Sequence, residues 1–348
     1  MSGYVEMARV LRNEQIGSDV WIMDLYAPKQ AAEAKVGQFC NVRVTGGTAP
    51  LLRRPISYAG FDSNEGTITL LYRVVGSGTE IMTKLKEGDE LDCLGPLGSQ
   101  FELTDNMLLV GGGVGIAPML CIASKLNEVE DTTCYTTEEE EIHMEPVAPK
   151  RATVVLGFRN ESETFWADLF KHCPVDVYVT TDDGSVGTKG FPTAIMGELI
   201  TSERGDIKRV LTPYVSGSGR ESTGTVGAKF EFAVDAKLKA ATGTIEEVLA
   251  ASPEGISVEK VAAKAATVAN EVSNIGFTSI LTCGPTPMMK GVAKVAEEYA
   301  VPCQVSLEER MGCGTGGCLG CGCHGRGGKR YKVCKEGSVF PAEEVFFE

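Results

Sequence analysis

Met107-Leu108-Leu109-Val110-Gly111-Gly112-Gly113-Val114-Gly115-Ile116-Ala117-Pro118 reads as a buried strand, a glycine turn and the opening of a helix. Four apolar residues without alternation suit a strand covered on both faces, as in a parallel sheet. Gly111, Gly112, Gly113 and Gly115 let the backbone approach a pyrophosphate closely, and Pro118 suits a first helical turn. The run departs from the GxGxxG fingerprint, because Ile116 occupies the place of the last glycine. A tight structural turn is the plain alternative. Two later segments favour a ligand: Gly157-Phe158-Arg159 follows the apolar Ala152 to Leu156, and Cys283-Gly284-Pro285 follows Ser279 to Thr282. Open α/β sheets bind ligands beyond the carboxyl ends of their strands.

Upstream of this unit the pattern changes. From Tyr4 to about Leu103, short β-rich runs such as Val20 to Tyr26 and Thr67 to Tyr72 alternate with Gly, Pro and Asn, which predicts an antiparallel barrel or sandwich. Arg54-Pro55-Ile56-Ser57 falls where a strand begins: arginine can bridge a pyrophosphate, proline fixes the approach of the chain, and the serine hydroxyl can reach a flavin nitrogen. Leu71-Tyr72-Arg73 follows, with Tyr72 placed to stack on the ring system. Gly78 and Thr79 can open a helix whose N–H groups accept phosphate. An exposed arginine at a strand start is the plain reading of Arg54 alone; the three segments together point to a flavin nucleotide. Cys283 then falls where a nicotinamide would meet that flavin, as the candidate catalytic residue, against the alternative of a buried thiol at a strand end.

Downstream, six of the twelve cysteines crowd into the last fifty or so residues. Cys313, Cys318 and Cys321 have the spacing C-x4-C-x2-C, in which a glycine-rich loop wraps a 2Fe-2S cluster, and Cys334 is the natural fourth ligand. Gly312, Gly314, Gly316, Gly317 and Gly320 allow backbone N–H groups to aim at sulfur. A structural zinc site also takes four thiolates, but zinc ribbons present two C-x2-C knuckles and this segment has one. Cys323, one residue beyond Cys321, competes as a ligand, although its spacing favours a non-ligand role.

The bulk properties set bounds. At 348 residues the chain fits two or three domains. A net charge of -14 and the absence of a basic stripe argue against nucleic acid or an anionic membrane as partner. No apolar run approaches the about 18 residues of a membrane span, and Met1 to Arg12 lacks the pattern of a signal peptide. The expected location is the cytoplasm, where thiols stay reduced. Residues 1–103 form the expected barrel, 104–300 the α/β nucleotide domain and 301–348 a small cluster domain. Two insertions interrupt the second unit. The first, about 128–150, contains the acidic run Glu138 to Glu141. The second, about 206–274, starts with Ser216 to Gly219 and includes a helical Val261 to Val272; it is either surface decoration or a contact for a partner.

Barrel, glycine turn and four-cysteine tail, in that order, resemble the ferredoxin-reductase superfamily and, closely, the electron-transfer subunits of type B dihydroorotate dehydrogenases. Thr181 to Gly187 and Tyr331 to Gly337 also look like sequence of that family. The resemblance implies that FAD contacts Arg54 to Ser57, Leu71 to Arg73, Gly78 and Thr79, and that Cys313, Cys318, Cys321 and Cys334 hold the 2Fe-2S cluster. It further implies an FMN-containing catalytic subunit that oxidises dihydroorotate to orotate, a 2+2 heterotetramer, and NAD as electron acceptor. The insertions match none of these motifs. A reductase drawing on NAD(P)H to serve an oxygenase, a sulfite reductase or a ferredoxin is the nearest rival, and a zinc-stabilised, non-catalytic sensing protein is the rival of another class. Arg159 could meet a 2′-phosphate, so NAD over NADP stays open.

Overall fold

The computed structural model describes residues 3–44, 49–126, 150–203 and 276–346. The expected insertions, including the acidic run and the helix at Val261 to Val272, lie outside the described residues apart from Lys150.

The first unit is a closed six-stranded antiparallel barrel. Its elements are β1 (Tyr4–Gln15), β2 (Val20–Tyr26), α1 (Pro28–Glu33), β3 (Phe39–Arg43), β4 (Arg54–Asp62), β5 (Thr67–Arg73), α2 (Ser77–Met82) and β6 (Glu90–Leu97), with strand order β1-β2-β5-β4-β3-β6. Closure removes the exposed edges that a small sheet would carry. Alternate residues fill the interior: Ile68, Leu70 and Tyr72 from β5 are buried with Cys40 and Val42 from β3.

The second unit is a seven-stranded sheet. It is built from β7 (Met107–Gly112), α3 (Ile116–Lys125), β8 (Ala152–Phe158), α4 (Phe165–Asp168), β9 (Asp176–Thr181), β10 (Thr188–Lys189), α5 (Thr193–Glu203), β11 (Ser279–Cys283), α6 (Thr286–Glu298) and β12 (Cys303–Ser306). These strands are parallel, in the order β10-β9-β8-β7-β11-β12. Every residue of β7 and β11 is buried, the mark of strands covered on both faces.

The chain then leaves the sheet for β13 (Gly322–His324) and β14 (Arg330–Lys332), a small hairpin, and returns as β15 (Val339–Pro341) before α7 (Ala342–Val345). β15 pairs antiparallel with β12 and completes the seven strands. The boundary expected at residue 301 therefore runs through a sheet: β12 and β15 belong to it, and only the segment between them forms a separate lobe. Pro341 lacks an N–H donor, which an edge strand tolerates. The end of the lobe and the start of β15 are tied to the first unit by Ser338 Oγ donating to Gly37 O (2.7 Å) and Ser99 Oγ donating to Val339 O (2.8 Å). Phe39, Leu94 and Leu97 of the barrel share one apolar cluster with Met311, Cys321 and Cys334 of the lobe. Among the described residues, no helix is long and apolar enough to cross a membrane.

Candidate functional site

The barrel brings the three expected flavin segments together. β4 begins at Arg54, and the Arg54 guanidinium lies against the α-carbon of Gly78 at the start of α2, where a methyl group would overlap it. Pro55 and Ser57 pair with Asn41 and Phe39 across β3, and Ile56 with Cys40. Leu71 and Arg73 share the outer face of β5. Arg73 reaches Asp19 (3.2 Å) and Glu163 (3.5 Å) and lines the cleft described below. Tyr72 does not present its ring for stacking. It is 1% exposed, inside the barrel, and its hydroxyl donates to Asn13 Oδ1 at 2.9 Å, because its parity in the strand is that of Ile68 and Leu70. Thr79 is also turned inward: its hydroxyl accepts from the N–H groups of Val75 (3.0 Å) and Gly76 (3.3 Å), so it shapes the loop before α2.

At the carboxyl ends of the parallel strands, Gly111, Cys283 and Ser306 lie side by side in register. The turn Gly113–Gly115 leads into α3, and Gly113 has φ +57°, which favours glycine. Gly115 packs directly on the Cys283 carbonyl, leaving no room for a Cβ. Beyond these ends opens a cleft of about 490 Å³. The turn Gly112 to Gly115 lines one side with Gly284, Pro285 and Thr286, Glu308 and Glu309 another, and Cys323 with His324 closes it from the lobe. All three units of the chain thus meet at one cleft.

Cys283 is fully buried beneath this cleft and does not line it. Burial pushes its thiol far above the usual range, with the carboxylate of Glu308 adding to the effect, so it stays protonated at neutral pH. That environment gives no nucleophile or base; Cys283 is a neutral thiol buried below the cleft. Glu308 was not singled out by sequence. It faces the cleft, and desolvation there raises its carboxyl above the ordinary range. Asp182, in the family-like segment Thr181 to Gly187 but given no role by sequence, stands just beyond the carboxyl end of β9 beside Arg159. Arg159 itself is bound by the Glu163 carboxylate, four residues on. Burial alone would raise Glu163, but the hydrogen bonds from Arg159 outweigh it and hold the carboxyl low.

The four expected ligand cysteines converge. Their sulfurs accept six backbone N–H contacts at 3.2–3.5 Å: Thr315 and Cys318 donate to Cys313, Cys313 and Gly320 to Cys318, Cys334 to Cys321, and Gly316 to Cys334. Such donors stabilise negative sulfur. They draw the Cys313 thiol down to about 6, chiefly through the Thr315 N–H. Cys334, buried beside Cys321, is pushed up to about 12 by that burial. The cysteines fall into two pairs: Cys313 and Cys318 donate their N–H groups to each other's sulfur, and Cys334 donates to Cys321. Among the described residues, no three His, Cys, Asp or Glu side chains gather around one point as a single ion needs. Two cysteine pairs suit the two irons of a 2Fe-2S cluster. Cys323 stands apart on β13, facing the cleft, and burial raises its thiol. Cys318 is exposed and Leu319 is 68% exposed, so one edge of the site reaches the surface.

Residues 7–101 match the family described as an oxidoreductase FAD-binding domain, and residues 308–346 match the iron–sulfur cluster binding domain of dihydroorotate dehydrogenase B. The chain is 31% identical to the dihydroorotate dehydrogenase B (NAD(+)) electron transfer subunit of Caldanaerobacter subterraneus subsp. tengcongensis, covering 98% of each chain. It is 28% identical to the protein of the same name from Fusobacterium nucleatum subsp. nucleatum, over 99% of each. Among solved structures, an NADH-dependent reduced ferredoxin-NADP oxidoreductase, studied for flavin-based electron bifurcation, superposes with a TM-score of 0.62 at 26% identity, over 98% of this chain and 90% of that one. The ferredoxin reductase in carbazole 1,9a-dioxygenase shares the fold, with a TM-score of 0.52 at 16% identity over 87% of this chain and 68% of that one.

Proposed function

Because the chain belongs to the family of dihydroorotate dehydrogenase B electron-transfer subunits, we propose that it relays electrons from the FMN of a separate dihydroorotate-oxidising subunit to NAD+ in pyrimidine synthesis. It is an oxidoreductase component whose cofactors are FAD and a 2Fe-2S cluster, with NAD+ as acceptor. When bound, the cluster carries single electrons and FAD pairs them for hydride transfer to nicotinamide.

The residues divide the work. Arg54, with Gly78 leaving it room, holds the flavin's pyrophosphate; the backbone of Pro55 to Ser57 and of Leu71 to Arg73 borders the ring; Thr79 fixes the loop before α2. Gly111 to Gly113, Gly115, Gly284 and Pro285 form the nicotinamide nucleotide's side of the cleft, above the neutral thiol of Cys283. Cys313, Cys318, Cys321 and Cys334 hold the cluster, and the exposed edge at Cys318 and Leu319 faces the catalytic subunit. The catalytic subunit pairs with this one as a 2+2 heterotetramer in the cytoplasm, where cysteines outside the cluster, such as Cys40, Cys93 and Cys121, stay reduced.

The observation that carries this reading is the pairing of four N–H-ringed cysteine sulfurs with a flavin-type barrel packed directly against them. Co-expression with an FMN-containing dihydroorotate dehydrogenase should yield a complex that reduces NAD+ with dihydroorotate. A complex that forms with both cofactors loaded and shows no such reduction overturns the assignment. A second reading has its own support, the 26% identity and near-full coverage of a ferredoxin-NADP oxidoreductase chain. Under it the same site serves ferredoxin, and the isolated chain reduces ferredoxin with NAD(P)H while ignoring dihydroorotate dehydrogenase.

A further inference from the structure

β3 presents its side chains alternately to the barrel interior and to the cluster lobe. Cys40 and Val42 point inward and join the interior core; Phe39, of the opposite parity, belongs to the apolar cluster that also contains Cys321 and Cys334. Asn41 shares the parity of Phe39, and its side chain is 0% exposed. Neither Nδ2 nor Oδ1 of this carboxamide has a hydrogen-bond partner among the described residues. A buried primary amide left unpaired is costly, and native structures rarely keep one without a reason.

The direction in which it points supplies the reason. Gly314, with φ +72°, lies so close that a Cβ there would stand 2.5 Å from Asn41 Nδ2. Gly314 sits in the cluster loop between Cys313 and Thr315, whose N–H already donates to Cys313 Sγ at 3.4 Å. The amide therefore occupies the space that the missing side chain leaves on the barrel side of the loop.

We propose that Asn41 Nδ2 donates a hydrogen bond to the cluster, at Cys313 Sγ or the inorganic sulfide beside it, and thereby raises the cluster's reduction potential. Reduction adds negative charge to the sulfurs, so a fixed donor favours the reduced form over the oxidised one. Asn41 also pairs across the sheet with Pro55 of the flavin strand. Asn41 thus joins the flavin strand to the cluster loop, as a positioning residue that sets the driving force between the two groups. The proposal rests on the family reading of a 2Fe-2S cluster in this chain.

The test is an EPR-monitored redox titration of the full chain, loaded with FAD and cluster, as wild type and Asn41→Leu. Loss of one donor should shift the cluster's reduction equilibrium about tenfold, about 59 mV more negative for one electron, with the FAD potential unmoved. An unchanged cluster potential, or a shift confined to FAD, overturns the inference. Should Asn41→Leu fail to hold iron, wild-type protein labelled with 15N in asparagine side chains answers instead. Residues 276–346 contain no asparagine, so pulsed EPR of the reduced cluster should show a 15N coupling from Asn41, and its absence overturns the inference. A wild-type chain with no 2Fe-2S signal defeats the family reading itself, which distinguishes the two failures.

Discussion

The Arg54 guanidinium lies across the α-carbon of Gly78, so the first turn of α2 and the start of β4 share a contact that only glycine allows. The obstacle that a side chain at residue 78 would meet is the end of a flexible arginine, and the fold can absorb it by swinging Arg54 aside. Gly78→Ala should therefore fold normally but lose the arginine's fixed position. Fluorescence titration of the apoprotein should show FAD affinity weakened by roughly tenfold, a single charged hydrogen bond's worth. Unaltered affinity would mean that Arg54 does not hold the flavin.

Cys334 and Cys321 are buried side by side, whereas Cys323 turns toward the nucleotide cleft. Cys334→Ser should lose iron and labile sulfide while retaining FAD, because the flavin strands lie in the barrel. Cys323→Ser should keep both. Iron analysis with visible spectra decides it, and iron retained in Cys334→Ser but lost in Cys323→Ser would reverse the ligand assignment.

Much of this arrangement is readable from sequence because it depends on local chemistry. The run Val20 to Tyr26 is rich in β-forming residues between turn residues, and it is a strand with those limits; Met107 to Val110 is uniformly apolar, and it is the buried centre of the parallel sheet. Cys313, Cys318 and Cys321 stay near one another because a short glycine-rich loop leaves them few other options, and the β13–β14 hairpin returns Cys334 to Cys321. What escaped depends on contacts distant in sequence. β15 is three residues long, ends in proline and finds its partner across the whole cluster lobe, so no period announces it. Tyr72 was legible but misread: Ile68, Leu70 and Tyr72 share one face, and that face is the barrel interior. Glu308 and Asn41 gain their meaning only when the lobe folds back against the cleft and the barrel.

Glu308 makes stability depend on pH in a direction opposite to a salt-bridged carboxylate. Desolvation in the cleft raises its folded-state carboxyl above the unfolded value of about 4.3. Between those values the folded state binds more protons than the unfolded chain, so stability falls as pH rises through that window. Below it both states are protonated and the penalty vanishes. Arg73, Lys290, Glu309 and His324 line the same cleft, which makes a neutral isostere the clean probe. Glu308→Gln should raise Tm at about pH 7–8 and leave it unchanged below about pH 4. A Tm increase that persists equally at low pH would point to packing instead of charge.

Cofactor choice turns on the carboxyl ends of β8 and β9. Arg159 is the cation that a 2′-phosphate would seek, yet Glu163 already binds it and Asp182 stands beside it. A 2′-phosphate brought here would have to displace one carboxylate and face another, whereas a ribose 2′-hydroxyl can donate to an acidic residue at such a strand end. NADH should therefore be the better substrate of the isolated chain in a dye-reduction assay. Asp182→Asn removes the second negative charge beside Arg159 and keeps the Arg159–Glu163 bridge, so the ratio of kcat/KM for NADPH over NADH should rise by about tenfold, the effect of one charge contact of about 1.4 kcal/mol. The change should come mainly from a lower KM for NADPH, since the charge lies away from the reacting nicotinamide end. A ratio that stays fixed while both KM values move together would show Asp182 to act on the shape of the β9 turn and not on the ribose.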